Sequence, residues 1–138
     1  MTVSEQYLIL FLRVTAALLV PAVGAVVMPY PWMNALHEGL GLGTLPELPL
    51  VAYLTRSLSA LYVMLAAWCW FLSNDVRRYL PLLRFSVPVT MAFGATLIAI
   101  DVLVAMPTWW TLGEAMFMPA WTLTLWQLVR RIPSEPES

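Results

Sequence analysis

Four charged side chains lie inside segments that are otherwise apolar: Arg13, Arg56, Asp101 and Glu114. A charge at the centre of a bilayer costs about 2.5 to 3.5 kcal/mol on insertion scales, so each of these residues needs a partner or a role. Arg56, Asp101 and Glu114 each lie about one to two helical turns from the predicted outer end of their segment. If their helices are neighbours, we expect these three side chains to meet in one polar pocket in the outer leaflet.

Polar residues around these charges fit such a pocket. Tyr53 and Ser59 share a helix face with Arg56, and Thr90 shares a face with Asp101. The predicted ligand-binding set is therefore Arg56, Asp101, Glu114, Tyr53, Ser59 and Thr90. One arginine neutralises only one of the two acids, which leaves a proton, a cation or a ligand group to be accommodated. The alternative, that an ion pair only fixes the order of the helices, stays open.

The remaining reactive residue types give little indication of chemistry. His37 is the only histidine, and His37-Glu38 lacks the second histidine of a zinc-protease helix, so we expect no metal site. Cys69 is the only cysteine, which excludes an internal disulfide and a thiolate cluster. No cofactor is expected. A net charge of -1 without lysine indicates neither a nucleic-acid partner nor a polybasic lipid-binding tail.

Composition determines which elements position these residues. Of the 138 residues, 61% are hydrophobic and 11% are charged, a larger apolar share than a soluble domain buries. A membrane-spanning helix needs about 20 apolar residues. Four segments meet that need, at about 7–28, 50–72, 83–106 and 109–129. We predict an all-α fold, a four-transmembrane-helix bundle forming a single integral membrane domain over 1–138, with a disordered tail at 132–138.

Three features of the first half refine this prediction. Pro21 predicts a kink in the first span, because proline lacks the N–H that a helix needs. One face of that span carries Arg13, Ala17, Val20 and Gly24, with Ala16 beside them, and small residues at this spacing predict a surface for helix packing. Between the first two spans, the segment from Pro29 to Pro49 predicts a short interfacial helix or cap loop.

The arginines predict the orientation in the membrane. Five of them flank the second connection or follow the last span: Arg77, Arg78, Arg84, Arg130 and Arg131. Because basic residues concentrate on the cytoplasmic side, these regions and both termini are expected to be cytoplasmic.

The stretch from Tyr53 to Tyr62, which follows a proline-rich loop with Gly41, resembles the DoxX-like group of small four-helix bacterial membrane proteins. In that resemblance Arg56, Ser57 and Ala60 match the opening of the second helix, and Glu114 matches an acid on a later helix. The group includes families of unknown function, and some members resemble accessory subunits of quinone-linked oxidoreductases. The resemblance implies a location in the bacterial inner membrane.

These observations favour an accessory or ligand-binding protein. Its pocket would bind a lipid or quinone headgroup or a partner helix, the partner being another membrane protein or a second copy of the chain. The alternative is a membrane-embedded isomerase or hydrolase in which Asp101 and Glu114 divide the acid and base roles and Arg56 stabilises negative charge. Transport is least expected, because the cytoplasmic halves of the later spans are apolar.

Overall fold

The computed structural model describes residues 2–133, and all regular secondary structure in that range is helical. The helices are α1 (Val3–Leu19), α2 (Ala22–Val27), α3 (Tyr30–Gly39), α4 (Pro49–Leu72), α5 (Leu80–Leu103) and α6 (Thr108–Val129). The predicted all-α class is confirmed for this part of the chain. Residues 134–138, most of the tail predicted to be disordered, lie outside the described residues.

Three stretches within 2–133 are helical, long and apolar enough to cross a membrane: Val3–Val27, Pro49–Leu72 and Leu80–Leu103. Large apolar side chains on these helices are exposed, including Leu10, Leu54 and Phe93. Such extensive apolar exposure suits a helical protein in lipid. The 22-residue α6 is not among the three stretches, and it carries four tryptophans and four threonines. The predicted fourth span is therefore not confirmed.

The first helix begins at Val3 because the two residues around its start cap it reciprocally. The backbone N–H of Thr2 donates to Glu5 Oε2 at 2.9 Å, and the N–H of Glu5 donates to Thr2 Oγ1 at 3.3 Å. This capping box satisfies two N–H groups that the helix cannot satisfy internally. Around Pro21, the N–H groups of Val23 and Gly24 bond three residues back, each at 3.0 Å. The predicted kink is thus a short break between α1 and α2.

The predicted packing surface on the first span is confirmed only at Ala16, which is buried. Ala17, Val20 and Gly24 are exposed, and a Cβ atom built on Gly24 would meet nothing within 4 Å. The buried residues form a different stripe: Glu5, Leu8, Leu12 and Ala16. In a helix that is apolar all round, small side chains do not show which face packs, because the other faces suit lipid equally well.

The chain divides into two compact units. The terminal unit comprises Met1–Phe11 and Leu72–Ser138, and the middle unit comprises Leu12–Phe71. In the terminal unit α5 packs against α6, and the rings of Phe11 and Trp121 lie 5.2 Å apart. In the middle unit the guanidinium of Arg13 lies 5.3 Å from the ring centroid of Trp70, a cation–π distance.

A tight turn joins α5 to α6. The N–H of Met106 donates to the carbonyl of Asp101 at 2.9 Å, and the N–H of Ala105 donates to that of Val102 at 3.4 Å. This pair of bonds is the Schellman motif, whose penultimate position has left-handed backbone and usually holds glycine. Ala105 occupies it with φ of 54°. The turn reverses the chain within a few residues, so α5 and α6 form an antiparallel hairpin.

Candidate functional site

Two contacts fix the register of the α5–α6 hairpin. The hydroxyl of Thr122 donates to that of Thr90 at 3.3 Å. Gly94 is four residues after Thr90 on α5, and Met118 is four residues before Thr122 on α6. A Cβ atom built on Gly94 would lie 3.0 Å from Cβ of Met118. The same register places Leu83 level with Val129, and both of these residues are buried. The two helices therefore keep the same register over several turns.

This register brings the two predicted acids close together. Asp101 lies two helical turns beyond Gly94, and Glu114 lies about one turn before Met118, so both residues lie on the facing sides of the hairpin. At 1.5 Å of rise per residue, their Cα atoms differ in level by about 4.5 Å. The structure thus confirms neither a ligand nor a pocket, but its register places the backbone positions of the two acids within one turn of each other along the hairpin.

Each carboxyl group has an oxygen without a hydrogen-bond partner. Among the described residues, Asp101 Oδ2 and Glu114 Oε2 are the buried side-chain atoms of this kind. Asp101 is 7% exposed, whereas Glu114 is half-buried and its Oε1 accepts a hydrogen bond from Trp110 Nε1 at 3.1 Å. A buried polar group without a partner costs about 1 to 3 kcal/mol, and more if it is charged. Both oxygens therefore need a proton or a polar group from outside the described chain.

Two of the other predicted site residues have hydroxyl groups that bond within their own helices. Thr90, in the terminal unit, donates to the carbonyl of Ser86 at 2.8 Å and accepts from Thr122. Ser59, in the middle unit, is buried and donates to the carbonyl of Thr55 at 2.8 Å. Such bonds to the preceding turn are a common way to satisfy hydroxyl groups in apolar helices.

Arg56 and Tyr53 belong to the middle unit, and both side chains are exposed. Arg56 Nη2 donates to the carbonyl oxygen of Met28 at 3.4 Å, directly after the last residue of α2. A cation at the C-terminal end of a helix is stabilised by the helix dipole. Arg56 therefore has a structural contact of its own, and its convergence with Asp101 and Glu114 stays a prediction.

His37 contributes to a network that holds the loop after α3. Its Nδ1 donates to the carbonyl of Gly43 at 2.6 Å, and the N–H of Leu45 donates to Asn34 Oδ1 at 2.7 Å. Gly43 has φ of 81°, which a side chain would strain. His37 is thus a structural residue in this arrangement, and residues 2–133 contain no group of three or more potential metal ligands.

One ion pair was not anticipated from the sequence. Arg77 Nε donates to Oε1 of Glu5, whose side chain is only 2% exposed. Glu5 therefore uses one oxygen for the capping box and the other for a residue 72 positions away. The Thr-x-x-Glu spacing at the start of the chain was the signal for the cap, but nothing in the sequence indicated Arg77 as the partner. The pair ties the start of α1 to the segment before α5.

Comparison with protein-family models, with curated proteins and with solved structures found no match to this chain.

Proposed function

We propose that this protein is an integral membrane protein of the bacterial inner membrane in which the facing carboxyl groups of α5 and α6 bind the polar head of an amphipathic molecule. The observation that carries the proposal is the pair of buried carboxyl oxygens, on Asp101 and Glu114, that have no partner in the described chain. The protein acts as an accessory or binding component rather than as a catalyst. Its ligand is a lipid or a quinone, and α6 forms the fourth span.

The chemistry of the carboxyl group defines what this head must offer. An ionised carboxyl accepts hydrogen bonds from a hydroxyl or an amine, and a protonated one donates to a carbonyl oxygen, such as that of a quinone or an ester. A level difference of about 4.5 Å lets one head with two polar atoms reach both residues. Such a ligand removes the cost of two unpartnered buried oxygens, which favours its binding.

The proposal keeps both termini cytoplasmic, which places Asp101 and Glu114 towards the outer leaflet. A periplasmic phosphatase fused after Ser138 tests the orientation. We expect the fused phosphatase to be inactive. An active fusion would show that the C-terminus is periplasmic and that the orientation is the opposite one.

The test compares two isosteric substitutions, Glu114→Gln and Asp101→Asn. Glu114 is the more accessible acid, so Glu114→Gln is expected to spare folding and to lose the copurified ligand. Asp101→Asn, at the more deeply buried residue, is expected to lower thermal stability as well. Lipids and quinones retained after gentle solubilisation are measured by mass spectrometry, beside thermal unfolding. The control is Glu47→Gln, which makes the same change in an exposed loop residue.

Two results contradict the proposal in different ways. If Glu114→Gln keeps its ligand while Asp101→Asn loses both ligand and fold, the roles of the two acids are reversed. If both variants behave like Glu47→Gln in stability and in retained molecules, the carboxyl pair is not a binding site.

One observation also favours the enzymatic alternative. The two acids differ in surroundings: Asp101 is almost fully buried, and Glu114 is half-buried and bonded to Trp110. Pairs of acids with different surroundings can divide general-acid and general-base roles. An isomerase or hydrolase would convert the copurified molecule into a product during incubation. A product that forms with the unchanged protein, but with neither Glu114→Gln nor Asp101→Asn, would support this alternative.

A further inference from the structure

Arginines gather at the end of the α5–α6 hairpin that lies away from Asp101. Arg130 and Arg131 directly follow α6, and the others lie before or within the first turns of α5: Arg77, Arg78 and Arg84. Of the four acids in the described part of the terminal unit, two accompany the arginines at this end. Glu5 bonds to Arg77, and Asp75 accepts a hydrogen bond from the backbone N–H of Arg78. Within residues 2–133, five guanidinium groups therefore lie beside two carboxylates at this arginine end, and Glu135 and Glu137 follow later in the sequence.

The arginines differ in what they contact. Arg77 donates to Glu5, and Arg84 Nη2 donates to the carbonyl of Ile132 at 2.7 Å. These two arginines therefore stabilise the fold. Arg130 and Arg131 are exposed, and the guanidinium of Arg130 lies 4.4 Å from the ring centroid of Trp126. A cation–π contact of this kind restrains the guanidinium without using its N–H donors, which stay available for a phosphate.

The surface beside Arg130 is apolar. Leu123 and Trp126 precede it on the same face of α6 at helical spacing, and both side chains are exposed, by 46% and 43%. This face changes from apolar to cationic within about two turns, or roughly 11 Å. Tryptophan is common at the boundary between hydrocarbon and headgroups, so the ring of Trp126 suits that level. A ligand that matches the face has acyl chains at one end and a negative charge at the other.

We propose that the arginine end of the terminal unit binds one anionic phospholipid, with its phosphate on Arg130 and Arg131 and its acyl chains along Trp126 and Leu123. Charge complementarity argues for the phosphate, and the apolar stripe argues for a lipid rather than a soluble anion. This site lies at the opposite end of the hairpin from Asp101, so it is separate from the proposed headgroup site. It holds a lipid of the leaflet that faces the arginines.

The test measures binding to the purified full-length protein in a neutral detergent. Phosphatidylglycerol, phosphatidylcholine and inorganic phosphate are titrated separately, and thermal stability and lipid retention in native mass spectrometry are recorded. Phosphatidylglycerol is expected to raise the melting temperature and to remain bound, and the other two probes are not. A basic residue near an anionic surface contributes about fivefold in affinity, so Arg130→Gln with Arg131→Gln should weaken binding about 30-fold.

Matched variants distinguish a specific lipid site at Arg130 and Arg131 from a general effect of the protein's net charge on binding. Arg13→Gln removes one charge from the middle unit and should leave the affinity for phosphatidylglycerol unchanged within about twofold, whereas Arg131→Gln alone should lower it about fivefold. Glu135→Gln with Glu137→Gln removes negative charge from the sequence after Pro133 and should leave the affinity unchanged or raise it.

Three outcomes overturn the proposal. Equal binding of phosphatidylglycerol and phosphatidylcholine would show that the phosphate charge is not recognised. Stabilisation by inorganic phosphate as large as that by phosphatidylglycerol would show a site for free anions. An equal loss with Arg13→Gln and Arg131→Gln would show that only net charge matters.

Discussion

Gly94 lies where α5 closely approaches α6, and changing it to alanine tests the register on which the placement of the two acids depends. The added Cβ atom would lie 3.0 Å from Cβ of Met118. Met118 cannot relieve this contact by rotating its side chain, because Cβ is fixed to the backbone. The two helices must therefore move apart by a few tenths of an ångström.

The expected cost follows from two opposing effects. Overpacking of a close interface costs about 1 to 3 kcal/mol. Alanine also favours the helix over glycine by about 1 kcal/mol, which offsets part of that cost. Gly113→Ala is the matched control, because Gly113 is also in the hairpin and a Cβ atom there would meet nothing within 4 Å. The difference between the two variants cancels the helix preference and leaves about 1 to 3 kcal/mol of destabilisation at Gly94.

Reversible unfolding in mixed micelles provides the measurement for both variants. A double variant, Gly94→Ala with Met118→Gly, removes the clashing Cβ atom and should recover part of the loss, as a coupling energy between neighbouring positions. Equal stability changes for Gly94→Ala and Gly113→Ala, with no coupling to Met118, would refute the register and remove the geometric basis for placing Asp101 beside Glu114.

Two further predictions concern local structure, and both are measured by the same unfolding experiment. Ala105→Gly should stabilise the protein by about 1 kcal/mol, because glycine adopts the left-handed turn position without strain and Ala105 is exposed; a loss of stability would show that its methyl group packs. Glu5→Gln should cost about 1 kcal/mol by weakening the bond to Arg77, and Glu5→Ala should cost about 2 to 3 kcal/mol because the capping box is lost as well. Equal effects of the two changes at Glu5 would mean that the cap contributes nothing.

The sequence by itself determined the class of structure and the approximate places where helices begin and end. Long apolar segments can satisfy their backbone in a membrane only as helices or closed barrels, and the helical reading of this sequence is confirmed for residues 2–133. Proline and glycine positions indicated the break at Pro21 and the separate helix α3. These features depend on neighbours along the chain, which a sequence shows directly.

Which faces pack, and which distant residues meet, was decided only by the tertiary structure. Of the residues predicted to form the packing surface of the first span, only Ala16 is buried, and the buried stripe includes Glu5, whose partner Arg77 lies 72 residues away. The register that brings Asp101 within one turn of Glu114 depends on the close approach at Gly94. In a soluble protein, polar residues mark the outer face of each helix. On helices that are apolar on every side, as here, the sequence pattern carries little information about which helix faces meet.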